Sequence, residues 1–159
     1  MRNLLILFSL STFLGLAAHA QSGSLPADDS IRLDHIAVYV HNLEASTDFY
    51  DQTLRFKKIP EPFNDGRHTW YSLGAGSQLH LIQGAKQNVE RDKNDHLCFS
   101  VPSVQRFVAR LEEHNVPYFD WPGKPQAVTT RVDGVQQVYF QDPDGHWIEV
   151  NDAGFQPRD

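Results

Sequence analysis

From residue 31 onward the chain switches between two periodicities. In DHIAVYV, residues 34–40, Ile36, Val38 and Val40 fall on one side and His35, Ala37 and Tyr39 on the other. This is the period-two pattern of a half-buried strand. Asn42 is a favoured N-cap and opens a helix expected to reach about Leu54, with Leu43, Phe49 and Tyr50 as apolar contacts. Short strands are expected near Phe56–Pro60 and His68–Leu73, and a longer one in GSQLHLI, where Leu79 and Leu81 oppose Gln78 and His80. The pattern then begins again. DHLCFSV, residues 95–101, repeats the opening 61 positions later, with Leu97, Phe99 and Val101 opposite His96, Cys98 and Ser100. Ser103 caps a second helix whose Val104, Phe107, Val108 and Leu111 fall at i, i+3, i+4 and i+7, and Asn115 is its expected stop. Strands follow near Tyr118–Trp121 and Val135–Gln141. Asp142-Pro143-Asp144-Gly145 has Pro and Gly where a type I turn favours them. In the final strand, Ile148 and Val150 oppose Trp147 and Glu149. Its counterpart in the first copy lies 69 positions earlier, so the second copy carries eight extra positions, assigned to a loop over Gly123–Asp133.

Each copy therefore reads β-α-β-β-β, and the fold class is α+β. Module one covers about 31–84 and module two about 94–152, inside a domain spanning 31–152, with 153–159 as a tail. Helices are expected to cover the aliphatic faces. The opposite faces hold His35, His80, His96 and Glu149 at corresponding places in the two copies. Pairing the modules about a pseudo-twofold axis would bring these four together. Three imidazoles and a carboxylate suit Zn, Ni, Fe or Mn. Without a metal, such a buried group would need a partner for every ring nitrogen and for the charge. Gln78 shares the face of His80 and is an alternative ligand at that place. Tyr39, Cys98, Gln137, Tyr139 and Trp147 have the parity or position to line a pocket, although ordinary packing accounts for Cys98 and Trp147. Arg131 sits in the extra loop, where it could meet an anionic substrate.

Composition narrows the partners. Of 159 residues, 40% are hydrophobic and 21% charged, with a net charge of −6. No run of Lys or Arg points to nucleic acid or to an anionic membrane surface. Cys98 is the single cysteine, so no intrachain disulfide can form. Eight histidines direct attention to metal binding. Residues 1–20 have the layout of a signal peptide: Arg2 near the start, an apolar stretch from Leu4 to Ala18, and the small residues of Ala18-His19-Ala20 before a cleavage point. The apolar stretch is short against the ~20 residues of a membrane span. Cleavage after Ala20 is expected, giving a periplasmic or secreted protein with no membrane attachment, and 21–30 reads as a flexible lead-in.

The segments LDHIAVYVHNLEASTDFY, GSQLHLI, NDHLCFSV and QVYFQDPDGHWIEV together resemble the vicinal oxygen chelate superfamily of glyoxalases, bleomycin resistance proteins and extradiol dioxygenases, over about Ile31 to Asn151. The resemblance implies two βαβββ modules forming an open, curved, eight-stranded sheet around a divalent metal. The metal positions fall on His35, His80, His96 and Glu149. It also implies a small-molecule substrate that chelates the metal through neighbouring oxygens, with Glu149 as the catalytic base. A glyoxalase-like isomerase or lyase is the leading expectation. An Fe(II) extradiol-type dioxygenase, for which His35, His96 and Glu149 would supply the triad, and a non-catalytic bleomycin-type binder are the alternatives. Glyoxalase I enzymes tend to carry Glu where this chain has His80. Fosfomycin-modifying enzymes usually have Thr where it has Ala37. Whether the modules pair within one chain or between the chains of a homodimer is left open.

Overall fold

The structure is a computed structural model that describes residues 31–87 and 89–156. The expected signal peptide and lead-in lie outside the described residues.

All eight expected strands and both helices are present. Module one contains β1 (His35–Val40), α1 (Leu43–Phe49), β2 (Lys57–Ile59), β3 (His68–Gly74) and β4 (Ser77–Gln83). Module two contains β5 (His96–Ser100), α2 (Val104–Glu113), β6 (Tyr118–Phe119), β7 (Thr129–Thr130), β8 (Gln136–Gln141) and β9 (Trp147–Asn151). The strand order is β1-β4-β3-β2 in one sheet and β5-β9-β8-β6 in the other. Each opens with a parallel pair, β1 with β4 and β5 with β9, and continues antiparallel. The ninth strand, β7, falls in the stretch expected to be loop. It pairs with β8 beyond β6, so that the two short strands share one edge.

Local chemistry sets the helix ends. Asn42 Oδ1 accepts from Ala45 N–H at 3.1 Å and Ser103 Oγ accepts from Arg106 N–H at 3.3 Å, satisfying donors that a helix start leaves free. Helix α2 ends as its sequence suggests: Asn115 is left-handed at φ 55°, Asn115 N–H bonds Glu112 O, and Val116 N–H bonds Leu111 O at 2.8 Å. That pair of bonds is a Schellman closure. Helix α1 continues differently, through one π-helical turn over Tyr50–Leu54 that buries Tyr50, Thr53 and Leu54.

The aliphatic faces of both sheets and both helices form one core, including Val38, Leu79, Leu81, Phe107, Phe140 and Ile148. Each such side chain, fully buried, stabilises the fold by about 1.5–3 kcal/mol. Phe49 of α1 packs on Phe140 of β8, and Phe56 meets Phe99 of β5 edge to face at 5.0 Å. The core faces of the two sheets thus look toward each other across the helices. Their other faces turn outward: Tyr39 is 51% exposed, and Cys98 and Ser100 are also exposed.

Candidate metal centre

Strand register defines two outward surfaces that mirror each other. In module one, β3–β4 pairing sets Trp70 beside His80 and His68 beside Ile82, while β1–β4 pairing sets His35 beside Gln78. In module two, Tyr139 lies beside Glu149, and His96 beside Trp147. Trp70 and Tyr139 stand 69 positions apart, the same offset that relates His80 to Glu149.

The structure brings the four expected ligands together in two pairs. His35 stacks on His80, with ring centroids 4.4 Å apart and planes at 13°, and His80 stacks in turn on Trp70 at 3.8 Å. His96 Nε2 lies 3.3 Å from Glu149 Oε2. Among the described residues, no three His, Cys, Asp or Glu side chains converge to hold an ion. Each pair occupies the outward face of its own sheet, so one chain presents two candidate half-sites.

Each half-site has fixed hydrogen bonds around it. His35 Nδ1 is 2.6 Å from Asp34 Oδ2, and His96 Nδ1 is 2.7 Å from the main-chain oxygen of Lys93. A carbonyl oxygen only accepts, so Nδ1 of His96 carries a proton, and in the neutral ring Nε2 presents its lone pair beside Glu149. Both His35 and His96 follow an aspartate in the sequence. Only His35 uses the preceding aspartate. His80 Nε2 lies 2.8 Å from Gln78 Oε1, so Gln78 is a hydrogen-bond partner of His80 rather than a separate arm reaching elsewhere. Burial, followed by the charge of His35, lowers the pKa of His80.

Glu149 is 7% exposed. Tyr139 O–H donates to its Oε2 at 2.5 Å, and Asn151 Nδ2–H and Cys98 Sγ–H donate to Oε1 at 2.8 and 3.3 Å. Burial pushes its carboxyl up, but these bonds and His96 more than offset that, and the net pKa is lowered. Glu149 is therefore an anion at neutral pH. Its charge acts back on its neighbours: burial first, then Glu149, raises the Cys98 thiol to about 12, and Tyr139 is raised by burial and by its bond to Glu149.

The donor set fits a divalent ion. Two ligands at about 2.1 Å in a tetrahedral site stand about 3.4 Å apart, close to the distance separating His96 Nε2 from Glu149 Oε2. Above the module-one pair lies a cavity of about 480 Å³ lined by His35, His80, Trp70, Gln78, His68 and Phe63, among others. Trp70, Phe63 and the ion pair of His68 with Asp65, at 2.9 Å, were not singled out from sequence. Trp70 and His68 could have been, because they share the parity of the ligand face once β3 is placed. Arg131 pairs with Asp133 at 2.6 Å instead of entering either pair.

The sequence profile of the Glyoxalase/Bleomycin resistance protein/Dioxygenase superfamily matches residues 32–150. The chain belongs to this superfamily. A lactoylglutathione lyase of Pseudomonas putida is 25% identical over 173 aligned positions, covering 89% of this chain and 94% of the relative. A metallothiol transferase FosB of Shouchella clausii is 28% identical, covering 75% of this chain and 78% of the relative. Among solved structures, a glyoxalase/dioxygenase from Nostoc punctiforme superposes with a TM-score of 0.66 at 23% identity, covering 85% of this chain and 97% of that one. The oxidase ChaP-H2 superposes at 0.61 with 20% identity, covering 80% and 95%. The structural likenesses establish the superfamily fold. The relatives carry different activities on it, so the fold alone assigns none of them to this chain.

Proposed function

We propose that this superfamily member is a divalent-metal-dependent, glyoxalase-like isomerase or lyase acting on a small substrate with neighbouring oxygens. Its metal centre is assembled between two copies of the chain. His35 and His80 of one copy would hold the ion together with His96 and Glu149 of the other. The supporting observation is the division of the ligands into two outward-facing pairs on sheets whose inner faces share one core. A second copy, related by a twofold axis, supplies to each half-site the pair it lacks.

When bound, the ion would supply Lewis acidity toward the substrate oxygens. The remaining work belongs to the protein. Glu149, ionised at neutral pH, accepts the proton taken from the carbon next to a carbonyl. Tyr139 and Asn151 hold its two oxygens in place. His96 is locked in one tautomer by Lys93 O. Trp70 and Phe63 give the cavity an apolar wall on one side.

The test is subunit mixing. His35→Ala/His80→Ala and His96→Ala/Glu149→Gln variants are each expected to hold no ion. Hybrids formed by exchanging their subunits recover one intact centre per dimer, read by elemental analysis. A wild-type protein that takes up no divalent ion after reconstitution would end the metal reading. Full occupancy of the first variant alone would end the shared centre. Oxygen uptake with bound Fe(II) would assign the dioxygenase chemistry instead. Export is part of the proposal and rests on the character of residues 1–20. N-terminal sequencing of the mature protein should begin at Gln21, and an intact Met1 in the exported fraction would refute cleavage. An exported enzyme works apart from the cytoplasmic thiol pool, which favours a substrate that is not a glutathione adduct.

A further inference from the structure

Lys93 lies in the linker between the two modules and belongs to neither strand of the metal half-site. Its side chain is half-buried. Its ammonium stands 5.3, 5.4 and 5.5 Å from the ring centroids of Trp121, Tyr139 and Trp147. The same nitrogen donates to Trp121 O at 2.6 Å and to Asp120 O at 3.3 Å. The charge is thus met by three π faces and two carbonyls, an arrangement that suits a cation and no neutral side chain of that length.

Both ends of this residue lead to the ligands. Its main-chain oxygen accepts Nδ1–H of His96 at 2.7 Å. The Tyr139 ring beneath its ammonium carries the hydroxyl that donates to Glu149. The intervening backbone is stiff, because Asp95 N–H bonds Asp92 O at 3.0 Å and Asn94 N–H bonds Asp92 Oδ1 at 2.8 Å. Trp147 Nε1–H, donating to Arg91 O at 3.0 Å, ties the same linker over the cage. The ammonium thus anchors one end of Lys93 while these backbone bonds hold the other, and the carbonyl so directed selects the imidazole tautomer.

We propose that Lys93 is the positioning residue of the module-two ligand pair: caged by Trp121, Tyr139 and Trp147, it holds His96 with Nδ1 protonated and Nε2 directed to the metal. The significance for metal binding rests on the reading of His96 and Glu149 as ligands. The tautomer claim stands independently of it. Lys93→Met keeps the length and removes the charge, whereas Lys93→Arg keeps the charge. The first readout is the His96 tautomer in metal-free protein, at a pH at which the same spectra show the ring carrying a single proton. It is measured by long-range ¹H–¹⁵N correlation and assigned by loss of the signal in His96→Ala. Wild type and Lys93→Arg should show Nδ1–H alone, and Lys93→Met a mixture of both tautomers. The second readout is affinity for Co(II), expected to fall about tenfold in Lys93→Met and to be rescued in Lys93→Arg. Trp121→Leu removes one wall of the cage without touching Lys93 and should shift the tautomer in the same direction, which keeps the test open if Lys93→Met fails to fold. A His96 that remains wholly Nδ1–H in both Lys93→Met and Trp121→Leu overturns the proposal. A shifted tautomer in a protein whose wild type takes up no Co(II) supports the positioning role and refutes the metal reading.

Discussion

Replacing Asp142 by Ala should loosen the joint between the modules. Asp142 is 5% exposed, and its carboxylate has four partners. Oδ2 accepts from Tyr50 O–H at 3.1 Å and faces His146 Nδ1 at 2.8 Å. Oδ1 accepts the main-chain N–H groups of Asp144 at 2.9 Å and His146 at 2.8 Å. Tyr50 ends α1 in module one and is wholly buried, so this hydroxyl-to-carboxylate bond crosses from one module to the other. Truncation leaves the Tyr50 hydroxyl without an acceptor, at a cost of about 1–3 kcal/mol. The main-chain N–H groups of Asp144 and His146 and the His146 ring lose their partner as well, which brings the total to about 3–5 kcal/mol. In a domain of this size that lowers Tm by about 10–20 °C. The assay is urea unfolding of metal-free protein, with Tyr50→Phe completing a double-mutant cycle. Tyr50→Phe should cost about 1–2 kcal/mol in the native background and be stabilising once Asp142 is gone, because it then removes a hydroxyl left without an acceptor. The reasoning fails if Asp142→Ala stays within about 1 kcal/mol of wild type, or if Tyr50→Phe costs the same in both backgrounds.

Tyr139→Phe removes the 2.5 Å bond to Glu149 and leaves those from Asn151 and Cys98. The Glu149 pKa should rise toward its ordinary value in an NMR titration of metal-free protein, and metal affinity should fall about tenfold. Cys98, exposed yet held at about 12 by burial and by Glu149, should be alkylated by iodoacetamide at pH 8 about 10³-fold more slowly than an ordinary thiol, because the neutral form is favoured. Glu149→Gln removes the facing charge, lowers that pKa and should speed the reaction; an unchanged rate would refute the coupling. Asn115→Val places a β-branched residue at φ 55° and should cost about 1–2 kcal/mol in thermal unfolding, while Asn115→Gly should be neutral or stabilising.

The elements most legible in the sequence are those whose burial imposes a period. The stripe Val104, Phe107, Leu111 and the alternations around His35, His80, His96 and Glu149 had to be written as they are, because one face of each meets the core. The caps Asn42 and Ser103 were equally readable, since few side chains can satisfy a helix start. Strand β7 was not, because Thr129 and Thr130 are held by the edge of β8 and have no apolar alternation of their own. The π turn over Tyr50–Leu54 was hidden for a related reason: its register comes from packing Tyr50 against Phe56 and Tyr71, which no local pattern announces.

The same logic separates what the repeat revealed about the candidate site from what it withheld. Offsets of 61 and 69 were enough to pair His35 with His96 and His80 with Glu149 as equivalents. Parity assigned each to the face away from the core. Parity says nothing, however, about which outward face meets which, because the hydrophobic pattern is satisfied equally by modules set side by side and by modules stacked through their helices. Contacts of high sequence separation decide between these: Phe49 on Phe140, Phe56 on Phe99, and Asp144 on His41 N–H and Ser46 Oγ at 2.7 and 2.9 Å. The last of these comes from the turn that sequence read only as a tight connection. Its aspartates join the modules by their core sides, and that choice leaves the two ligand pairs facing outward. Lys93 was out of reach for a different reason: it acts through a main-chain oxygen in an irregular linker, and the direction of a carbonyl is written in no side-chain pattern.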